Sequence, residues 1–299
     1  METQRLKSWQ RKPIWLYILT ALILFFLILP VLIVIPMSFT DSTLLKFPPQ
    51  GFSLRWYEKF FHDTKWLNGA IVSLKAALGT MVLAVTLGTM GAICVSKKVM
   101  RKSKWVKITM QLPMMLPSVI VAVSMYLRFG KYQVIGKLWT IIAAHTCLAI
   151  PMVMTTMSAA LVGLDPAPYD AARVLGANHL QATTKVVLPQ IKPSIFSSCL
   201  FAFITSFDES VLALFITKTK TQTLPKLMFA ELKYGVSPEL AAVSTLLICV
   251  TITFFALSKV VNAMSPNVKA ARLYAKAEKE KIEQEEKNRL KAEKSANLV

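Results

Sequence analysis

Asp208 and Glu209 stand side by side in an otherwise apolar run, Phe203-Ile-Thr-Ser-Phe-Asp-Glu-Ser-Val-Leu212. If that run crosses a bilayer, an ionised carboxyl at its centre costs at least about 2.5 kcal/mol, and such groups face a cavity or a partner. The chemistry open to them is electrostatic, the recognition or gating of a cationic solute. The other reading is an internal ion pair or a protonated, hydrogen-bonded carboxyl. On a continuous helix neighbouring side chains point about 100° apart. One acid is then expected to line a translocation path, with Ser206 near it, and the other to pair with a base. The remaining reactive residues form no constellation. His62, His145 and His179 lie far apart and read as satisfied or exposed side chains. Cys94, Cys147, Cys199 and Cys249 show no ligand spacing and read as small buried hydrophobes. The string nearest to a phosphate loop, Gly130 to Gly136-Lys137, has its glycines one residue too far apart and Leu138 after the lysine. H-E-x-x-H and G-x-S-x-G are absent. No catalytic residue and no metal ligand is assigned.

The elements that must position these acids are membrane spans. The chain has 299 residues, 54% of them hydrophobic, and a mean hydropathy of +0.50. That is too apolar for an ordinary soluble domain. Six runs are long enough to cross a bilayer as helices: Ile14–Pro36, Gly69–Val95, Trp105–Leu127, Leu138–Val162, Ile195–Thr217 and Pro238–Val260. The fold class is an all-α membrane protein with six transmembrane helices. A segment 1–13 precedes a membrane domain over 14–264, and a charged tail, 265–299, follows it. Arg5, Lys7, Arg11 and Lys12 before the first run imitate a signal peptide. The run is long for one, and Pro36-Met-Ser-Phe replaces a cleavage site, so it reads as an uncleaved anchor.

The formal net charge is +19. The bases cluster beside the apolar runs, which is the pattern of cytoplasmic membrane flanks. The charge is therefore topological, and membrane lipid rather than nucleic acid is the partner it implies. The N-terminus is basic. The second link carries Lys97, Lys98, Arg101, Lys102, Lys104 and Lys107 and no acid, whereas Asp41, Glu58 and Asp63 offset the bases of the first link. Both termini and the link around Asp170 are then expected in the cytoplasm. Arg128, Lys131 and Lys137 in the third link run against the rule and face outward.

Two further features concern packing. Ala76, Thr80, Ala84, Gly88 and Ala92 recur every four residues, a small-residue face that lets a second helix approach closely. Pro113 and Pro117 remove backbone donors from the third span and are expected to bend it. The tail carries Glu283/Lys287 and Glu285/Arg289 at helical spacing and reads as a solvated helix.

The link between the fourth and fifth runs has a structure of its own, at about 163–193. Asp165-Pro166 reads as an N-cap with Pro at the first helical position. Tyr169–Leu175 is a short helix, and Gly176 takes the left-handed conformation that ends it. Asn178 is a second N-cap, followed by a short helix His179–Leu188 that stops before Pro189. Ala171 and Ala172 give a low-profile face, with Leu175, Leu180, Val186 and Leu188 as apolar positions available for docking. Pro189 and Pro193 stiffen the connection to the fifth span. An amphipathic connector lying on the membrane surface is the plainer reading of the same pattern.

Asp170-Ala-Ala-Arg-Val-Leu-Gly176 followed by Val186-Val-Leu-Pro189 resembles the EAA loop of type I ABC importer permeases. That pattern is E-A-A, a Gly four residues after the second Ala, and I-x-L-P after nine further residues. Both intervals are kept, and Asp170 replaces Glu, a carboxyl shorter by a methylene. Ser206-Phe-Asp-Glu, Thr223-Leu-Pro-Lys-Leu-Met-Phe and Ala241-Ala-Val-Ser-Thr-Leu-Leu-Ile248 are similar to the spermidine/putrescine branch, its C-type subunit in particular. Relatives for aminoethylphosphonate, opines, thiamine and ferric iron share these strings. The resemblance implies a permease fold with a cytoplasmic coupling helix, in which Asp170, Ala171, Ala172, Gly176, Val186, Leu188 and Pro189 dock an ATPase. It also implies a multi-pass protein of the bacterial inner membrane. The partners implied are a homologous second permease subunit, more readily a different chain than a second copy, two ATP-binding subunits that hold ATP and Mg, and an extracytoplasmic solute-binding protein. The chain itself would carry no cofactor and hydrolyse nothing, and its solute would be a small cationic or zwitterionic amine.

Two other classes compete. A secondary transporter or channel working alone would call for an internal repeat or ion-coupling residues in a broken helix, and no convincing repeat is present. An intramembrane enzyme would need a nucleophile–base pair or a metal constellation.

Overall fold

The computed structural model describes residues 14–96 and 103–264. The basic N-terminal segment, Lys97, Lys98, Arg101 and Lys102 of the second link, and the tail from residue 265 lie outside the described residues. Every regular element among the described residues is helical. In chain order they are α1 (Ile14–Met37), α2 (Arg55–His62), α3 (Thr64–Ser96), α4 (Ser103–Met115), α5 (Ser118–Lys131), α6 (Leu138–Val162), α7 (Ala167–Val174) and α8 (His179–Ala182). A π-helical turn at Thr183–Val187 leads into α9 (Leu188–Gln190) and α10 (Lys192–Phe207). Then come α11 (Val211–Ile216), α12 (Leu224–Leu232) and α13 (Pro238–Met264).

Four helices, α1, α3, α6 and α13, are long and apolar enough to cross a membrane. Two bent pairs raise the number to six if each pair is one span. The first is α4 with α5, bent by 104° around Pro117, which leaves the chain extended just before α5. The bend expected from Pro113 and Pro117 is therefore present. Pro113 stays inside α4, and the break falls at Pro117, because a proline pushes the residue before it, here Leu116, out of the helical region. The second pair is the segment 179–190 with α10, bent by 79°. The fifth run is not one helix from Ile195 to Thr217: α10 ends at Phe207 and α11 begins at Val211.

The chain divides into two compact units. The first holds the described residues up to Ile71 together with Lys226–Val250. Here α2 is tied to the segment before it, with Trp56 Nε1 donating to the Thr40 carbonyl at 2.9 Å and Ser38 Oγ lying 2.6 Å from Tyr57 Oη. Glu239 at the start of α13 accepts from Lys59 Nζ at 2.5 Å and from Trp66 Nε1 at 2.7 Å, and Lys65 pairs with Glu231 at 2.6 Å.

The second unit comprises the described residues of Val72–Pro225 and those from Thr251 onward. Its core is built on the small-residue face of α3. Ala76, Thr80, Ala84 and Ala92 are fully buried. A Cβ on Gly88 would come within 2.7 Å of Val153 Cγ1 on α6, so the backbones are as close as that face promised. The α6 contribution is Ala144, Ala149, Val153, Met154 and Met157, all fully buried. The cysteines depart from expectation. Cys94, Cys147 and Cys199 are only half-buried and Cys249 is exposed. In a membrane an apolar side chain on the outside of the bundle meets lipid, so burial within the protein is not required of it.

Candidate functional site

The loop between α6 and α10 is built almost entirely from local signals. Pro166 occupies the cap position of α7, so Asp165 acts one residue earlier than expected, its Oδ1 accepting from the Ala167 N–H at 3.0 Å. The end of α7 is a double-bonded left-handed stop. Gly176 has φ +90°, its N–H donates to the Arg173 carbonyl at 3.1 Å, and the Ala177 N–H donates to the Ala172 carbonyl at 3.0 Å. This is the Schellman arrangement, which satisfies the last carbonyls of a helix and requires a positive φ at its pivot. Arg173 closes the turn by donating from Nη1 to the Ala177 carbonyl at 2.6 Å. Asn178 then starts α8 with a reciprocal capping box: its Oδ1 accepts from the Gln181 N–H at 2.8 Å, and Gln181 Oε1 accepts from the Asn178 N–H at 3.0 Å.

The second short helix does not stop before Pro189. It loosens into the π turn over Thr183–Val187 and continues through Pro189 to Gln190. Pro189 falls in the first positions of α9, where its missing N–H leaves no bond unmade. The Leu188 N–H reaches back to the Thr183 carbonyl.

The loop has two faces. Its inner face is part of the core of the second unit: Tyr169, Ala182, Val187 and Ile191 are buried with Ala84 and Ala92 of α3, Met154 and Met157 of α6, and Ala202 of α10. Tyr169 also ties α7 to α8, its Oη 2.8 Å from His179 Nδ1. Ala172 and Leu188 pack partly against the same core, and Val186 is half-buried. The outer face carries Asp170, Ala171 and Pro189 together with Leu175 and Val174, each 87% exposed, and Leu180, 73% exposed. The apolar positions expected to dock therefore separate. Leu175 and Leu180 are open, while Val186 and Leu188 turn partly inward. Val174 and Tyr169 were not singled out from sequence. The signal for Val174 was there, an apolar pair immediately before the terminating glycine. Tyr169 gave none, because its partner His179 belongs to the next helix.

The acids do not sit in mid-helix. Asp208 caps the end of α10, its N–H donating to the Ile204 carbonyl at 3.0 Å. Glu209 lies in the gap and accepts from the Leu212 N–H through Oε1 at 3.0 Å, which caps α11. An acid at a helix N-terminus is electrostatically favoured there. The 100° separation of a continuous helix does not apply. Neither acid forms an ion pair among the described residues. Asp208 is exposed and Glu209 half-buried.

Ser206 is 2% exposed and committed to its neighbours. Its Oγ donates to Thr80 Oγ1 at 3.2 Å and lies 2.8 Å from His145 Nδ1. His145 is 1% exposed. The three side chains join α3, α6 and α10 through a polar knot just before the helix break. The sequence reads His145 only as a satisfied or exposed histidine; its partners lie in distant helices and leave no local pattern that would name them.

The model of a family described as "Binding-protein-dependent transport system inner membrane component" matches residues 84–268. The chain is 30% identical over 237 residues to the spermidine/putrescine transport system permease protein PotC of Haemophilus influenzae, a match that covers 79% of this chain and 91% of that protein. It is 32% identical over 245 residues to the putrescine transport system permease protein PotI of Escherichia coli, covering 80% and 86% respectively. Among solved structures, a chain of a bacterial ABC transporter involved in the import of the acidic polysaccharide alginate superposes with a TM-score of 0.64 at 16% identity, over 87% of this chain and 98% of that one.

Proposed function

The chain belongs to the inner-membrane components of binding-protein-dependent transport systems, and from that premise we propose how it works and on what. It is a multi-pass permease subunit of an ATP-driven importer. In our reading residues 14–264 form one domain of six spans, namely α1, α3, the bent pair α4–α5, α6, α10 continued into α11, and α13, with the segment 179–190 left to the loop, and both termini lie in the cytoplasm. The loop at 163–193 is the coupling element. Asp170, Ala171 and the exposed Val174, Leu175 and Leu180 meet a separate ATPase subunit, while Tyr169, Ala182, Val187 and Ile191 carry its movement into the helix bundle. ATP and Mg are bound by that partner, two copies of it serving this chain and a homologous second permease. An extracytoplasmic receptor delivers the solute.

The observation that carries this reading is the two-sided loop. It is anchored in the core on one face, open and apolar on the other, and stiffened by its own caps, so a push on the outside reaches α3, α6 and α10. The solute we propose is a small amine. Relatives named for spermidine and putrescine support it, as do the two carboxyls at the break between α10 and α11. A carboxylate attracts an ammonium far more strongly in a low-dielectric path than in water. The test is purification of the chain from its native membrane. An ATPase and a second permease should come with it, and the assembly should take up labelled putrescine or spermidine only with ATP and receptor present. Uptake by this chain alone, without an ATPase, would overturn the proposal in favour of a secondary transporter.

A further inference from the structure

Thr80, His145 and Ser206 are buried polar side chains at a helix contact otherwise made of small apolar ones. Thr80 stands four residues from Ala76 and from Ala84, His145 four from Ala149, and Ser206 four from Ala202, and these alanines are fully buried. The hydrogen bonds run in one direction. The Ile142 carbonyl of α6 can only accept, and Thr80 Oγ1 donates to it at 3.4 Å. Ser206 Oγ in turn donates to Thr80 Oγ1 at 3.2 Å. The serine hydrogen is then committed, so in the 2.8 Å bond between Ser206 and His145 the donor is Nδ1. The relay starts and ends on α6 and passes through α10 and α3. It leaves His145 Nε2 buried and without a hydrogen-bond partner among the described residues, a cost that an apolar side chain at this position would avoid. Ionisable side chains inside a membrane bundle are rare and mark sites of function.

We propose that His145 is a positioning residue for the solute: through Ser206 it fixes the register of α10 against α3 and α6, and so the place at which Asp208 is presented. The inference rests on the reading under Proposed function that the acids at the helix break attract an amine. Rows of alanine set how closely two helices approach, but they offer no directional bond that stops the helices turning or sliding. A screw of α10 by one residue carries Ser206 about 1.5 Å along the axis and about 100° round it, which breaks both of its bonds. α10 ends at Phe207, and Asp208 follows Ser206 by two residues, its N–H donating to the Ile204 carbonyl at 3.0 Å. No loop lies between the relay and the acid, so a displacement of Ser206 is carried to Asp208. Phe203 of α10 also stacks on Phe254 of α13, with ring centroids 4.3 Å apart. Loss of the relay therefore loosens the register of α10 without detaching the helix. A diamine and a triamine space their ammonium groups differently, and the position of a carboxylate decides how well each is met. The relay thus bears on the preference between amines, not only on the rate.

The test uses the assembled transporter, with its ATPase, second permease and receptor, in proteoliposomes. Uptake of labelled putrescine and of labelled spermidine is measured separately at saturating receptor, and the ratio of the two rates is the readout. The receptor is the same in every preparation, so a change in that ratio comes from the permease. His145→Leu and Ser206→Ala should each shift the ratio about two- to tenfold, the range that one lost hydrogen bond commands. The double variant should shift it no further, because both changes break one relay. His145→Asn, whose side-chain amide can stand in for the Nδ1 donor, should keep the ratio near wild type, whereas His145→Gln should not. Asp208→Asn should shift the ratio too, and His145→Leu should then add nothing. If His145→Leu fails to insert, Ser206→Ala and His145→Asn decide. A shift in Asp208→Asn, with both uptakes falling in equal proportion when the relay is broken, refutes the inference: the relay is packing only, and the solute reading stands. Asn at 145 shifting the ratio as far as Leu refutes it as well. An unchanged ratio in Asp208→Asn overturns the reading of that acid, and a wild type that takes up neither amine overturns the amine; either result takes the inference with it.

Discussion

Substituting Gly176 tests the coupling loop with unusual separation of causes. Its φ is +90°, and a Cβ built there has no atom within 4 Å. A new side chain thus meets no neighbour, and its whole cost is conformational. For a residue bearing a side chain that cost is roughly 1–2 kcal/mol in the left-handed region, a factor of about 5–30 on the population of the native turn. The inner face of the loop, anchored through Tyr169, Ala182, Val187 and Ile191, holds the permease together meanwhile. What shifts is the double-bonded stop, the bonds from Gly176 to Arg173 and from Ala177 to Ala172, and with it the angle between the exposed Leu175 and Leu180. Gly176→Val should therefore insert at the wild-type level but retain the ATPase about 5–30-fold less well on purification, with uptake falling in step. Gly176→Asn should be milder, since Asn visits this conformation more readily. Two outcomes would refute the reasoning: Val assembling and transporting like wild type, or Asn failing as badly as Val, which would remove conformation as the cause.

The other expectations are shorter. Reporter fusions after Lys102, Ala177 and Lys269 should report the cytoplasm, and those after Lys59 and Lys220 the outside; an outside signal at Ala177 would remove the docking argument. Asp208→Asn should lower uptake of an amine while leaving assembly intact. Glu209→Gln keeps the oxygen that accepts from the Leu212 N–H and so isolates the effect of charge; wild-type transport in both variants and in the double variant would make the pair structural. Gly88→Leu should destabilise the α3–α6 contact by about 1–3 kcal/mol, because overfilled cores strain and its Cβ would press on Val153 and lie 3.3 Å from the Met154 backbone nitrogen. Thr86→Leu on the exposed side of α3 is the control, and equal thermal stability of the two in detergent would refute close packing at Gly88.

What could be read from the sequence follows from the range of the interactions involved. The turn at Gly176 and the N-cap at Asn178 are made by residues within five positions of one another, and each was legible before the fold was; the return bond from Gln181 that completes a capping box was not read. The small face of α3 was legible because a period of four is a one-dimensional record of a helix contact. The break at residues 208–210 was not, although its acids were conspicuous. A helix interruption at Asp208-Glu209 contains no Pro or Gly, and it becomes tolerable only because Glu209 turns back to cap α11 and Asp208 closes α10. Of the two acids that suggested a site inside a helix, Glu209 therefore starts the next helix with its carboxyl, while Asp208 meets the end of α10 through its backbone N–H. Such an ending frees Asp208 from any helical face and leaves it exposed, two residues beyond Ser206 of the buried Ser206–His145–Thr80 knot. The knot fixes where α10 stands, the break fixes where it stops, and the charge of Asp208 is presented at the point where the two conditions meet.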